Sequence, residues 1–92
     1  MIPISERQKL PERSGVYVVY NKDNVAVYVG QSKNLRKRWS KPHHRMYEIV
    51  EECGGEIWLD WIEAEEWMLN RIENDVFNTL KPKLNRTSPP FI

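Results

Sequence analysis

A single cysteine, Cys53, excludes an internal disulfide and gives no support to a structural zinc site. No apolar run approaches the roughly 20 residues needed to cross a bilayer. The N-terminus lacks the apolar segment of a secretion signal. These absences point to an intracellular, cytoplasmic protein with no membrane partner. There is also no internal repeat and no low-complexity linker. The 92 residues therefore read as one domain, 1–92, with residues 1–12 as a lead-in and 87–92 as an extended, Pro-Pro-containing tail. A hydrophobic fraction of 40% against 29% charged residues excludes a disordered chain. A domain of this size buries one modest core, and four tryptophans and four tyrosines offset that by burying much area per residue.

Net charge is close to zero, +1, yet its sign is segregated. Acids are missing from residues 33–45, where Lys33, Arg36, Lys37, Arg38, Lys41 and Arg45 gather. Residues 48–75 are acidic, with Arg71 the single base. A solvated helix face and a phosphate-binding surface both explain the basic block, because backbone contacts need concentrated rather than net positive charge.

Two runs dense in β-branched and aromatic residues, 16–20 and 25–29, read as strands. Asn21, Lys22, Asp23 and Asn24 between them have turn composition, so an antiparallel hairpin is expected. Ser32 or Asn34 caps a short helix through about residue 40, with Leu35 and Trp39 on one face. A second helix is expected over 43–53, with Met46, Ile49, Val50 and Cys53 as its apolar stripe and Gly54-Gly55 as its end. Residues 56–62 alternate as a third strand. Residues 63–80 form the longest helix, with Leu69, Ile72, Val76 and Leu80 as the buried stripe and Glu73 on a neighbouring face. A short helix is expected near residues 5–10. The fold class is thus α/β of the α+β type, a three-stranded antiparallel sheet flanked by helices.

Gly15-Val16-Tyr17 and Tyr28-Val29-Gly30, followed by Ser32-Lys33-Asn34-Leu35-Arg36-Lys37-Arg38, resemble the GIY-YIG nuclease family. Glu73 and, twelve residues on, Asn85 match its later motif positions, so the resemblance runs from about residue 13 to residue 86. It implies the GIY-YIG nuclease fold and a divalent-metal-dependent endonuclease that hydrolyses DNA phosphodiester bonds. Mg²⁺, or Mn²⁺ on the same oxygen ligands, is the implied cofactor. DNA is the implied partner and DNA repair or recombination the implied setting.

The implied catalytic residues are Tyr17, Tyr28, Arg38, His43 and Glu73. Tyr17 orients or deprotonates the water, and Tyr28 holds the water or a phosphate oxygen, with the two roles exchangeable. Arg38 steadies the transition state or the leaving group. Glu73 binds the metal, and Asn85 positions the helix tail. Gly30, Gln31, Lys33, Arg36, Lys37, Lys41, His44 and Arg45 are the candidate phosphate contacts. Gln31 stands where some members carry lysine, and Pro42 where many carry histidine or tyrosine. His43, one residue later, is then the candidate for accepting the proton or contacting phosphate. Larger members add recognition domains, so this chain is expected to be structure-selective or weakly sequence-specific, with a homodimer or a larger protein complex supplying selectivity. Two other readings are a catalytically weak DNA-binding module of the same fold and a protein-interaction adaptor using Trp58, Trp61 and Trp67.

Overall fold

The structure, a computed structural model, describes residues 1–85; the tail at 87–92 lies outside the described residues. Its centre is an antiparallel hairpin of β2 (Gly15–Tyr20) and β3 (Ala26–Ser32). The pairing sets Tyr17 opposite Gly30, Val18 opposite Val29 and Val19 opposite Tyr28. Tyr20 then pairs with Ala26, so the ladder shifts register beside the turn, which increases local twist. The turn forms because the Asn21 side chain accepts the backbone N–H groups of Asp23 (2.9 Å) and Val25 (3.0 Å). Asn24 adopts the left-handed conformation, φ 63°, that asparagine tolerates well.

The sheet has four strands, not the three expected. β4 (Trp58–Glu63) pairs with the other side of β2, and β1 (Ile2–Pro3) pairs with β4, giving the order β1-β4-β2-β3. A two-residue strand containing proline shows no alternation from which to read it. Its outer position removes the objection to Pro3, since an edge strand tolerates a missing N–H. The sheet is antiparallel throughout, with helices against it, as expected.

The helices are α1 (Leu35–Trp39), α2 (Met46–Cys53) and α3 (Leu69–Leu80). A 3-10 segment, Ile4–Lys9, links β1 to the hairpin, and another, Glu66–Met68, precedes α3. The last helix starts later than its periodicity suggests because Glu63 still belongs to β4. Ala64 then donates its N–H to the Ser14 carbonyl (3.1 Å), while the Ser14 hydroxyl donates to the Ala64 carbonyl (2.5 Å). The second helix begins at Met46, which leaves His43 and His44 in the turn before it. It stops at Gly54, whose φ of 65° suits glycine.

Strand alternation divides the core between the two faces of the sheet. Tyr17, Val19, Val27 and Leu59 pack with Leu10, Leu35, Trp39, Ile49 and Cys53 on one side. Val16, Val18, Ala26 and Val29 pack with Leu69 of α3, joined by Ile72, Val76 and Phe77, on the other. Strand β2 is covered on both faces, which explains its nearly continuous apolar sequence.

Candidate active site

Tyr17 is 1% exposed and lies on the face of β2 that meets α1 and the turn before α2. Its ring crosses the neighbouring strand at Gly30. A Cβ at position 30 would sit 2.6 Å from Tyr17 Cζ, so only glycine lets the phenol lie there. Tyr28, two residues before Gly30, shares this face; the two tyrosine ring centroids are 6.3 Å apart. His43 closes the group. Its Nε2 lies 2.6 Å from Tyr17 Oη, and its Nδ1 accepts the backbone N–H of Arg45 at 3.0 Å. Trp39 stacks on the His43 ring at 5.0 Å and 22° and meets Tyr17 edge-on at 5.3 Å and 85°. His44 stacks on the outer side of His43, at 4.4 Å and 24°.

Burial pushes the Tyr17 hydroxyl well above the ordinary phenol range, and the charge of Arg38, with a hydrogen bond from its guanidinium, opposes that rise. Burial also raises Tyr28, with Arg45 opposing; the Arg45 guanidinium lies 5.4 Å from the centre of its ring. His43 is pushed down to about 4 by burial, helped by His44, Arg38 and Arg45. It is therefore neutral at physiological pH. Burial and the same arginines lower His44 as well.

Glu73 projects from α3 and is 7% exposed. Burial raises its carboxyl, and a hydrogen bond from Gln31 opposes the shift. Its negative charge is close enough to raise both phenols, so the carboxylate and the tyrosines share one locale. Gln31 also donates Nε2–H to Asn70 Oδ1 at 2.6 Å, tying β3 to α3 one turn before Glu73. Among the described residues no lysine, arginine or histidine forms an ion pair with Glu73. Nor do three histidine, cysteine or acidic side chains gather into a cage for a metal. A buried carboxylate without a counter-cation suits Mg²⁺, which keeps several waters and often needs one or two carboxylates plus substrate phosphate.

Asn85 acts from the outer edge of β3. Its Oδ1 accepts the Val29 N–H (2.9 Å) and its Nδ2 donates to the Val29 carbonyl (3.0 Å), so one side-chain amide occupies the place of a neighbouring strand's peptide.

The basic residues separate into two groups. Lys33, Lys37, Arg38, Lys41 and His44 line an open groove of about 640 Å³, together with Gln31. Arg36 does not line it: its Nε donates to the Leu10 carbonyl at 2.8 Å, and it pairs with Glu12 at 3.7 Å. Arg45 is held by Glu48 at 2.8 Å and by the Leu84 carbonyl at 3.1 Å. These two arginines secure the fold around the site. Asn34 lines the groove and also caps α1, accepting the Lys37 N–H at 3.0 Å. Trp39 reads in the sequence as an anchor of α1; its contact with the His43 ring has no signature in spacing, because the two lie on different elements.

The family model for the GIY-YIG catalytic domain matches residues 13–85. Among curated proteins, the chain is 33% identical over 94 residues to UvrABC system protein C of Helicobacter pylori (strain P12), covering 89% of this chain and 16% of that protein. It is 28% identical over 91 residues to UvrABC system protein C of Methanothermobacter thermautotrophicus, covering 99% of this chain and 15% of that one. The chain thus spans only a small part of these relatives. Among solved structures, it superposes on the GIY-YIG N-terminal endonuclease domain of UvrC from Thermotoga maritima bound to magnesium, its catalytic divalent cation. That match has a TM-score of 0.71 at 27% identity and covers 88% of this chain and 92% of that one. A point mutant of the same domain with its catalytic cation gives a TM-score of 0.72 at 26% identity, covering 90% and 93%. The chain belongs to the GIY-YIG family, whose catalytic domain its residues 13–85 match.

Proposed function

We propose that this domain hydrolyses the DNA backbone, taking its substrate by phosphate position and shape more than by base sequence. The observation that carries this reading is the shared locale of two phenols, one guanidinium and one buried carboxylate free of ion pairs, beside a groove lined by lysines. Phosphate contacts place a nucleic acid in register, whereas base reading requires groups inserted in its grooves. Lys33, Lys37 and Lys41 are suited to the first task.

In this reading Glu73 holds the divalent cation, Mg²⁺ or Mn²⁺, with waters and substrate oxygens completing its shell. When bound, the ion supplies Lewis-acid stabilisation of the phosphoryl oxygens. Arg38 offers a planar, permanently charged fork to the phosphate and stabilises charge that develops there. Tyr17 orients the attacking water through its hydroxyl. Tyr28, the more exposed phenol, holds a phosphate oxygen or that water. Gln31 steadies Glu73 without competing for its charge, which a lysine at this position would do. Asn85 and Gly30 set the shape of β3 beneath the phenols. We place the chain inside the cell as a catalytic module, and its selectivity comes from a second copy or from partner proteins. The curated relatives, each named as protein C of a system, motivate that placement.

The test is cleavage of supercoiled and branched DNA by the native chain and Glu73→Gln across a titration of Mg²⁺ and Mn²⁺. Loss of the carboxylate lowers cleavage by on the order of 100-fold or more, without lowering the melting temperature. Cleavage that persists unchanged both in this variant and in excess chelator overturns the reading.

A further inference from the structure

We propose that Trp39 is a positioning residue which, with the backbone N–H of Arg45, holds His43 as a hydrogen-bond donor to Tyr17. A neutral imidazole has one N–H and one acceptor nitrogen. The Arg45 N–H points at Nδ1 from 3.0 Å, so Nδ1 is the acceptor and the ring proton sits on Nε2. Nε2 is the nitrogen that lies 2.6 Å from Tyr17 Oη. The Tyr17 oxygen therefore receives the His43 N–H. For Tyr17 to pass its own proton to this ring, Nδ1 would have to carry a hydrogen and confront the Arg45 N–H head-on.

A doubly protonated ring meets the same obstacle at Nδ1. Burial, His44 beside it and the guanidinium groups of Arg38 from α1 and Arg45 before α2 also oppose a positive charge there. Tyr17 from β2, Tyr28 from β3 and Trp39 from α1 face the ring as neutral aromatics, and no carboxylate is among these groups.

Trp39 fixes the plane in which this happens. One indole lies flat on His43 and edge-on to Tyr17, so it sets the relative tilt of donor and acceptor. Its own Nε1–H is buried without a hydrogen-bond partner among the described residues. Buried donors normally find acceptors, and a phenylalanine would fill an apolar slot without this cost. The indole's contribution is thus the broad ring face offered to His43. The consequence for chemistry is that the Tyr17 O–H stays free to point at a water or a phosphate oxygen. His43 supports that phenol and is not its base. The effect on cleavage rests on the nuclease reading above, whereas the proton's location does not.

Two measurements on the full chain separate these. Long-range ¹H–¹⁵N spectra at neutral pH show which His43 nitrogen carries the proton; a protonated Nε2 and bare Nδ1 are expected. A protonated Nδ1, or both nitrogens protonated, overturns the proposal even if the protein cuts DNA. The expected spectrum in a protein that cuts no DNA leaves the proposal standing and removes the nuclease reading instead. In Trp39→Phe no hydrogen bond is lost, so the variant isolates the stack. The expected result is mixed His43 tautomers and a kcat lowered roughly 10- to 100-fold at similar KM. Trp39→Tyr, with a flat ring of intermediate size, is expected to fall between the two. If folded Trp39→Phe or Trp39→Leu keeps both the native His43 spectrum and the native kcat, Trp39 has no positioning role.

Discussion

Gly30 has no side chain because the Tyr17 ring occupies the space one would need. Gly30→Ala must push the phenol away from its seat. Overpacking of this kind costs about 1–3 kcal/mol, and misplacing a reacting group by an ångström costs about 100-fold in rate. Chemical denaturation and single-turnover cleavage read the two effects separately. His43 carries a pH signature. Its pKa of about 4 in the fold lies below the ordinary histidine value, so the fold prefers the neutral ring. That preference stabilises the protein fully above about pH 6.5 and is lost as the pH falls from there to about 4, a change of at most ~3 kcal/mol. Urea midpoints across this window should fall more steeply for the native chain than for His43→Phe. At this scale the family resemblance nominates Tyr17, Tyr28, Arg38 and Glu73 as site candidates by their motif positions. It does not reveal that Arg36 and Arg45 bond the Leu10 and Leu84 carbonyls and pair with Glu12 and Glu48, because neighbours on a short helix or turn look alike as charges in a string.

Elements were legible where periodicity is long enough to count. The hairpin, α2 and the apolar face of α3 follow from alternation and from 3–4 spacing, but Val50 and Leu80, expected in the stripes, are exposed at 45% and 37%. β1 escaped because two residues have no period, and the start of α3 moved because Glu63 ends β4 and Glu66–Met68 forms a 3-10 turn before the helix. The order of the strands depends on contacts between distant segments, which local patterns do not carry. Asn85 shows how one such contact matters. Its amide satisfies both peptide groups of Val29 at the outer edge of β3, the strand that carries Tyr28, Gly30 and Gln31. Asn85→Ala leaves those two groups partly unpaired, costing about 1–3 kcal/mol. Hydrogen exchange should localise the change, with the Val29 amide losing protection before the amides of β2.

Across the whole molecule the basic block of the sequence gathers its lysines along one groove. Four cationic side chains, Lys33, Lys37, Arg38 and Lys41, share one groove, Lys33 also reaching Glu66 at 3.9 Å, while several other cations are paired with acids from elsewhere, as Lys83 is with Glu52 and Arg13 with Glu63. A near-neutral protein can therefore bind a polyanion on one side. Affinity for duplex DNA should fall as salt rises, and Lys37→Ala should flatten the log–log slope by about 1 if this lysine meets a phosphate. Titration by fluorescence anisotropy at several salt concentrations measures it, and an unchanged slope removes Lys37 from the interface. A last consequence follows from the chain after α3. Lys83 and Leu84 donate their N–H groups to the carbonyls of Ala26 and Val27, and Asn85 continues the cover to Val29. This cover caps a row of peptide groups that would otherwise invite a strand from another molecule. Damage to this short stretch would expose a sticky flank, so loss of catalysis there and clumping would arrive together.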